Sequence, residues 1–356
     1  MRVLIFLSIF LLTLSFSSPA HAKLQYFGYY FVNGLYPWVD YQDHIPEIGA
    51  RGNSNIGVIN VSVIDRLPKY LTEMRQYHMY AVLDVTAQFE DYNREANWTK
   101  IKTAIKGHED VVYGFYFDES VWRGIGVDRF RSFTSQIRAD FPDKATILVE
   151  GLPPIINGTI PEGYLDYITD IGFDHYPTVT MESVSAFDKE WQGYQWYYHV
   201  FSKYTAGKKV WLVPDGYGYS HVPTHYLATV LQKYYEHAIA HPEVVGMLVF
   251  RYDPGDESTV YTVQDTMNPS SKFYDTGVVY THNSVGRAIL ADAPPYPVSS
   301  PSPSPTPSPT PKPSPKSGDL NSDSKVNLLD FNLLVSKFRN PYTLLNFNAI
   351  ITNYGK

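Results

Sequence analysis

Eight short apolar runs set the limits on what this chain can fold into. They are Leu24–Phe31, Asn55–Val61, Met79–Val85, Val111–Phe117, Ala145–Val149, Asp170–Asp174, Lys209–Val213 and Val245–Phe250. Their β-branched and aromatic residues suit strands. Between them lie longer amphipathic stretches with helical spacing, such as Leu67–Tyr77, Asp128–Asp140 and Thr224–Ala240, the last with Thr224 as its expected N-cap. Strand and helix in alternation predict an α/β domain with a parallel sheet. Eight such units in roughly 250 residues match a closed (β/α)8 barrel, the TIM-barrel architecture. The rival, a doubly wound open sheet, carries a glycine-rich phosphate loop after an early strand. Here the only comparable fragment, Gly216-Tyr217-Gly218, falls late in the chain.

In such a barrel the strands end on one common face, and chemistry sits there. The runs end near Tyr30 and Asn33, at Asn60, at Asp84 and Gln88, in Asp118-Glu119, at Glu150, in Asp174-His175-Tyr176-Pro177, at Asp215 and in Arg251-Tyr252-Asp253. The sharpest motif is Gly114-Phe-Tyr-Phe-Asp-Glu119. With a period of two, Phe115, Phe117 and Glu119 share one face, and Tyr116 and Asp118 the other. We expect the phenylalanines inside the barrel and Glu119 in the mouth above them. A carboxyl over aromatic rings loses solvation, which raises its pKa, as a general acid for a sugar leaving group requires. The competing reading makes Glu119 a structural acid paired with Arg251 or Arg123, and Asp118 a salt-bridging acid behind the barrel.

These endings resemble the retaining glycoside hydrolases of the largest TIM-barrel clan, over about residues 25–290. The resemblance rests on Asp118-Glu119 after the fourth run, Asp174-His175-Tyr176-Pro177 after the sixth and Phe250-Arg251-Tyr252-Asp253 after the eighth. It implies an acid/base glutamate after strand four, which Glu119 matches, and a nucleophilic glutamate after strand seven. There the chain has Asp215, in Trp211-Leu-Val-Pro-Asp215, one methylene shorter. The second carboxylate stays open: Asp215 fits by strand number, Glu150 by side-chain length, and Asp174 lies between them. Asp118, Asp174, His175, Tyr176, Trp122, Tyr217, Arg251 and Tyr252 are expected to bind substrate, with Trp191 and Trp196 as further sugar platforms. The chain holds 30 tyrosines and 6 tryptophans, whose flat apolar faces and polar tips suit sugars. The expected function is cleavage of O-glycosidic bonds in a polysaccharide or glycan by paired carboxylates, with no cofactor in the catalysis. The alternatives are a non-catalytic carbohydrate-binding barrel and a surface-attached structural protein.

The flanks of the domain, placed at residues 23–292, tell a second story. Arg2, the apolar run Val3–Phe16 and Ala20-His21-Ala22 have the form of a secretory signal over residues 1–22, which predicts an extracellular or cell-surface location. No other stretch is long and apolar enough to span a bilayer. With no cysteine, disulfides are excluded, and the domain must rely on a large apolar core. A formal net charge of -7 with scattered basic residues argues against nucleic acid as a partner. Residues 293–317 are Pro, Ser and Thr with a little Lys, an extended polyproline-type tether.

After it, Asp319, Asn321, Asp323, Asn327 and Asp330 place side-chain oxygens at loop positions 1, 3, 5, 9 and 12, and Lys325 offers a carbonyl at 7. That is the spacing of an EF-hand loop, so one Ca2+ is expected. Residues 318–356 resemble a dockerin, a small all-α module. Leu328, Leu329, Phe331 and Asn332 recur as Leu344, Leu345, Phe347 and Asn348, but the second repeat has Arg339-Asn340-Pro341-Tyr342 where ligands would stand. The resemblance implies a cohesin-like partner.

Overall fold

The computed structural model describes residues 24–34, 43–176, 184–255, 259–296, 320 and 326. The chain divides into two compact units, Met1–Pro297 and Val298–Lys356. In the second, Asp319, Asn321, Asp323, Lys325, Asn327 and Asp330 lie outside the described residues, as do residues 1–22 of the first, where a secretory signal is expected. No helix among the described residues is long and apolar enough to cross a membrane.

The first unit is a closed parallel barrel in which the eight apolar runs become strands: β1 (Tyr26–Tyr29), β2 (Ile56–Asn60), β3 (Tyr80–Asp84), β4 (Val112–Asp118), β5 (Ala145–Gly151), β6 (Asp170–Asp174), β7 (Lys209–Val213) and β9 (Val244–Val249). β9 pairs with β1 and closes the ring. Helices α1 (Ile45–Arg51), α2 (Leu67–Gln76), α3 (Thr86–Glu90), α4 (Arg94–Ile105), α5 (Val127–Asp140), α6 (Leu152–Ile156), α7 (Val184–Phe201), α8 (His225–Ala240), α9 (Val263–Met267) and α10 (Thr276–Asp292) follow the strands or join them. A two-stranded antiparallel sheet, β8 (Tyr217–Tyr219) with β10 (Val260–Thr262), sits beyond β7. Thr224 does not cap α8 through its side chain; its hydroxyl donates instead to Asp275 Oδ2 (2.7 Å), and Asp275 caps α10.

Two apolar clusters hold the unit. The interior one gathers Ile56, Val58, Val82, Tyr116, Ile147, Val149, Trp211 and Leu248. Gly246 leaves room for Trp211: a Cβ there would stand 2.2 Å from the indole. The outer cluster lies between strands and helices and includes Phe115 and Phe117. Phe117 meets Phe89, Phe130 and Phe133, and Phe115 meets Trp98 and Phe141.

That reverses the face expected for β4. Tyr116 and Asp118 point inward, and the phenylalanines point to the helices. The wide seam between strand and helix takes the flat rings, while the narrow barrel lumen takes one tyrosine bonded to others. Alternation fixes which residues go together but not which set goes in, because a parallel barrel is apolar on both faces.

Candidate active site

The mouth is built from strand ends that project one carboxyl after another. Asp84 ends β3, Asp118 ends β4 and Asp174 ends β6. Each shares inward parity with an interior residue two or more places before it, such as Val82 or Tyr116. Glu119 would follow the outward set if β4 stayed regular, but its φ is 45°, a left-handed turn. That one residue re-aims the side chain toward Gly151, where Glu119 Oε1 lies 2.9 Å from the position a Cβ would take. Gly151 follows the outward-facing Glu150 and so faces in. The absence of a side chain there is what gives the carboxyl its place.

Hydrogen bonding in the mouth is sparse. Tyr30 donates to the Tyr116 hydroxyl (3.1 Å), and Tyr116 donates to Asp118 Oδ1 (2.6 Å). Tyr176 donates to Asp174 Oδ2 (2.9 Å). Among the described residues Glu119 has neither a hydrogen-bond nor an ion-pair partner for its carboxyl. The arginines that could have neutralised it are taken: Arg123 makes a forked pair with Glu90 (2.7 and 2.8 Å), and Arg251 pairs with Asp253 (2.8 Å).

The acids therefore push each other's pKa values upward. Burial raises Glu119, the charge of Asp118 adds to it, and Arg123, though paired with Glu90, offsets part of the rise. Asp118 is raised by burial against the Tyr116 bond. Asp174 is raised well above the usual carboxylate range, first by burial and then by Glu119 and Asp118. Asp84 is pushed up to about 7 by burial and by Asp118. Such a group loses its protons one after another, so one mouth offers both a proton donor and a charged carboxylate.

Aromatic rings form the opposite wall. Tyr176 stacks on Phe250 (5.0 Å, 26°), and Tyr217 meets both edge-on. Trp122, 58% exposed, stands beside Gly151 on the rim.

Several expected site residues lie elsewhere. Glu150 faces away from the lumen and is fully buried. It accepts hydrogen bonds from the backbone N–H groups of Val121 (2.8 Å), Trp122 (3.0 Å) and Gly151 (3.0 Å). Both its oxygens thus hold the loop that carries Glu119, and although its charge reaches Glu119 and Asp174, the expectation of Glu150 as a free second carboxylate is corrected. Burial still pushes it up to about 7. Asp215 is sealed from solvent at 0% exposure, and its charge acts on Tyr217, Tyr234 and Tyr261. Two of those rings belong to α8 and β10, and the third, Tyr217, stands in the mouth wall, so Asp215 is closed to solvent behind that wall.

His175 turns to α7, 3.8 Å from Glu190 and against Tyr197, with burial lowering its pKa to about 4. Tyr252 is fully buried and donates to Glu47 Oε1 (2.9 Å). Trp191 and Trp196 lie on α7, Trp191 packed on Tyr194 and Trp196 on Tyr197, so neither is a mouth platform. The face reversal on β4 hid Tyr116, and Tyr30 and Asp84 went unassigned because their strand-end position said nothing about mutual contact. The signal that could have found them was parity with Asp118 and Asp174.

No protein-family model matches the chain, and no curated protein matches it. Among solved structures, the fold is similar to a β-glucuronidase from Ruminococcus gnavus in complex with D-glucaro 1,5-lactone. The TM-score is 0.52 at 10% identity, covering 74% of this chain and 49% of that one. It is also similar to an active-site mutant of Rhizomucor miehei β-1,3-glucanosyltransferase in complex with laminaritriose. There the TM-score is 0.51 at 14% identity, covering 67% of this chain and 92% of that one. This chain spans about half the length of the glucuronidase. At these identities the likeness establishes the TIM-barrel fold.

Proposed function

We propose that the barrel is a glycoside hydrolase whose acid/base residue is Glu119 and whose second carboxylate is Asp174. The observation that carries this is an unpartnered carboxyl, raised by burial, at the mouth of a parallel barrel and electrostatically coupled to a second mouth acid. Glu119 would protonate the glycosidic oxygen as the bond breaks. Asp174, in its ionised form, would stabilise the developing oxocarbenium ion or activate water, and Asp118, whose charge raises both, would help set the order in which their protons leave. Tyr176, Tyr217 and Trp122 would take the apolar faces of the sugar rings.

Four carboxyls with both nearby arginines already paired make the mouth hostile to uronic acids, so the substrate is a neutral or cationic sugar. The glucuronidase resemblance is thus one of fold and not of substrate. Turnover of a panel of chromogenic glycosides and soluble polysaccharides tests this. Glu119→Gln should lower kcat by about 10³-fold, within the range of removed acid–base groups, with binding retained. Residual activity within tenfold of the parent removes Glu119 from the role.

A second reading, a barrel that holds sugar without cleaving it, draws support from Asp215, the acid after β7, being closed to solvent at 0% exposure. It predicts binding with no turnover in the parent chain.

For the flanks, we propose export directed by residues 1–22, a tether at 293–317 and a module at 318–356. In that module Asp319, Asn321, Asp323, Lys325, Asn327 and Asp330 would hold one calcium ion and attach the enzyme to a cohesin-like protein or surface. Calcium titration of the full chain, with Asp319→Ala as control, should show one site that the variant lacks. No difference between the two would reject the loop.

A further inference from the structure

The end of the barrel opposite the mouth holds a cavity of about 960 Å³. It is lined by residues that open strands: Tyr26 of β1, Tyr80 of β3, Ala145 of β5, Asp170 of β6 and Lys209 of β7, with Tyr113 one place into β4. Nothing in the proposed hydrolysis uses them. The volume lies at the upper end of the ~300–1,000 Å³ common for ligand pockets.

Three tyrosines form an aromatic corner. Tyr26 meets Tyr113 (4.9 Å, 65°) and Tyr80 (5.9 Å, 81°), and Tyr80 meets Tyr113 (6.4 Å, 73°). Tyr80 and Tyr113 are half-buried, so ring surface remains open to the cavity. Tyr296 packs against Tyr80 at 4.9 Å and steadies it. On the floor, Asp170 is 1% exposed. Its Oδ1 accepts from Tyr113 Oη (2.8 Å) and Trp211 Nε1 (2.9 Å). Among the described residues its Oδ2 has no hydrogen-bond donor, although the side chain lines the cavity. That oxygen is reached from the cavity, where a ligand hydroxyl can take the place of water as its donor.

The other charged side chains of the lining have partners of their own, Arg138 donating to the Lys144 carbonyl (2.7 Å). Lys144 lies 3.4 Å from Asp143. Lys208 donates to the Leu165 and Ile168 carbonyls. Lys209 sits over the Tyr113 ring and 3.5 Å from its hydroxyl. Asp110 pairs with Arg75. What remains is flat apolar surface beside one strong acceptor, which fits a neutral molecule with a hydrocarbon face and hydroxyl donors.

We propose that this N-terminal cavity is a second carbohydrate-binding site, holding a neutral oligosaccharide by stacking on Tyr80 and by a hydroxyl donated to Asp170 Oδ2. It would keep a polysaccharide near the enzyme without contributing to bond cleavage. The choice of a sugar as ligand rests on the glycan-active reading of the mouth, whereas the site itself does not require hydrolysis.

Calorimetric titration of the full chain carrying Glu119→Gln separates the two. The probes are the hexasaccharides of β-1,3-glucan, cellulose, xylan and chitin. At least one should bind at two sites per chain, and adding Tyr80→Ala should weaken one of the two at least tenfold while the other persists. Asp170→Asn keeps an oxygen for Tyr113 and Trp211 but replaces the free acceptor with a donor, and should weaken the same site at least fivefold. Thermal melts confirm that each variant folds. In an otherwise unaltered chain, Tyr80→Ala should leave turnover of a small chromogenic glycoside within twofold. Binding unchanged in both cavity variants, or no probe bound by the Glu119→Gln chain, overturns the second site. Binding that depends on Tyr80 in a chain without turnover would uphold it while sinking the hydrolase.

Discussion

At the N-terminal end of the barrel, Asp170 receives two hydrogen bonds on one oxygen, from Tyr113 and Trp211. At the C-terminal end, Asp118 and Asp174 receive one tyrosine hydroxyl each, and Glu119 receives none. Both ends are lined by rings and both hold acids. The difference is the number of donors for each carboxyl and the number of acids within reach of one another. A single acid held by two donors is a fixed acceptor. Several acids short of donors raise one another's pKa values and keep protons available at neutral pH. Under the two proposals, the same lumen would supply a recognition end and a reactive end.

The largest test of that contrast compares Glu119→Gln with Asp170→Asn. The first should remove about three orders of magnitude from turnover; the second should leave it within threefold. Equal losses would mean that the two ends are not functionally distinct.

Next in size is Gly151→Ala. The new methyl would collide with the Glu119 carboxyl, which lies 2.9 Å from that Cβ position. Displacing an acid by a fraction of an ångström should lower kcat about 10- to 100-fold, with KM little changed. Normal kcat in this variant would mean that the observed placement of Glu119 is not the working one.

Glu150→Ala probes the loop behind the mouth. It strands three backbone N–H groups and should cost about 3 kcal/mol of stability in denaturant unfolding. Glu119→Ala, which removes no bond, should cost less than about 0.5 kcal/mol. Similar losses would erase the distinction between the acid that holds the loop and the acid the loop presents.

The smallest expected effect is a pH slope. The folded pKa of Asp84, about 7, lies above its ordinary value. The native state therefore binds more protons than the unfolded one between about pH 4 and 7. Stability from this group is fully present at the acid end and is lost as pH rises through 7. His175 and His237, lowered to about 4, act in the opposite sense, their contribution being lost as pH falls. Comparing Asp84→Asn with the parent cancels the histidines. The variant's stability relative to the parent should improve steadily from pH 5 to pH 8 by calorimetry, and a flat difference would place Asp84 in a solvated setting.

Eight strands, their parallel order and the acid at the end of β4 could be read from the chain, because apolar runs, helical spacing and strand-end acids are local patterns. Glu119 was legible for the same reason, although the inference ran through the wrong face. Residues 115–118 alternate, but both faces of a barrel strand are apolar, so inside and outside look alike in one dimension. A left-handed φ at Glu119 then restored by geometry what parity had misassigned.

Partnership was out of reach of the sequence. Glu150 and Asp215 end strands just as Asp118 and Asp174 do. One is bound by two amides from a loop about thirty residues earlier and by the amide of Gly151 beside it, and the other is closed to solvent near Tyr234 and Tyr261. Composition and period determine that an acid stands at a strand end. Only the closed barrel decides whether it meets water, another acid or a row of N–H groups, since those neighbours are brought together by tertiary packing and leave no mark on the residues beside it.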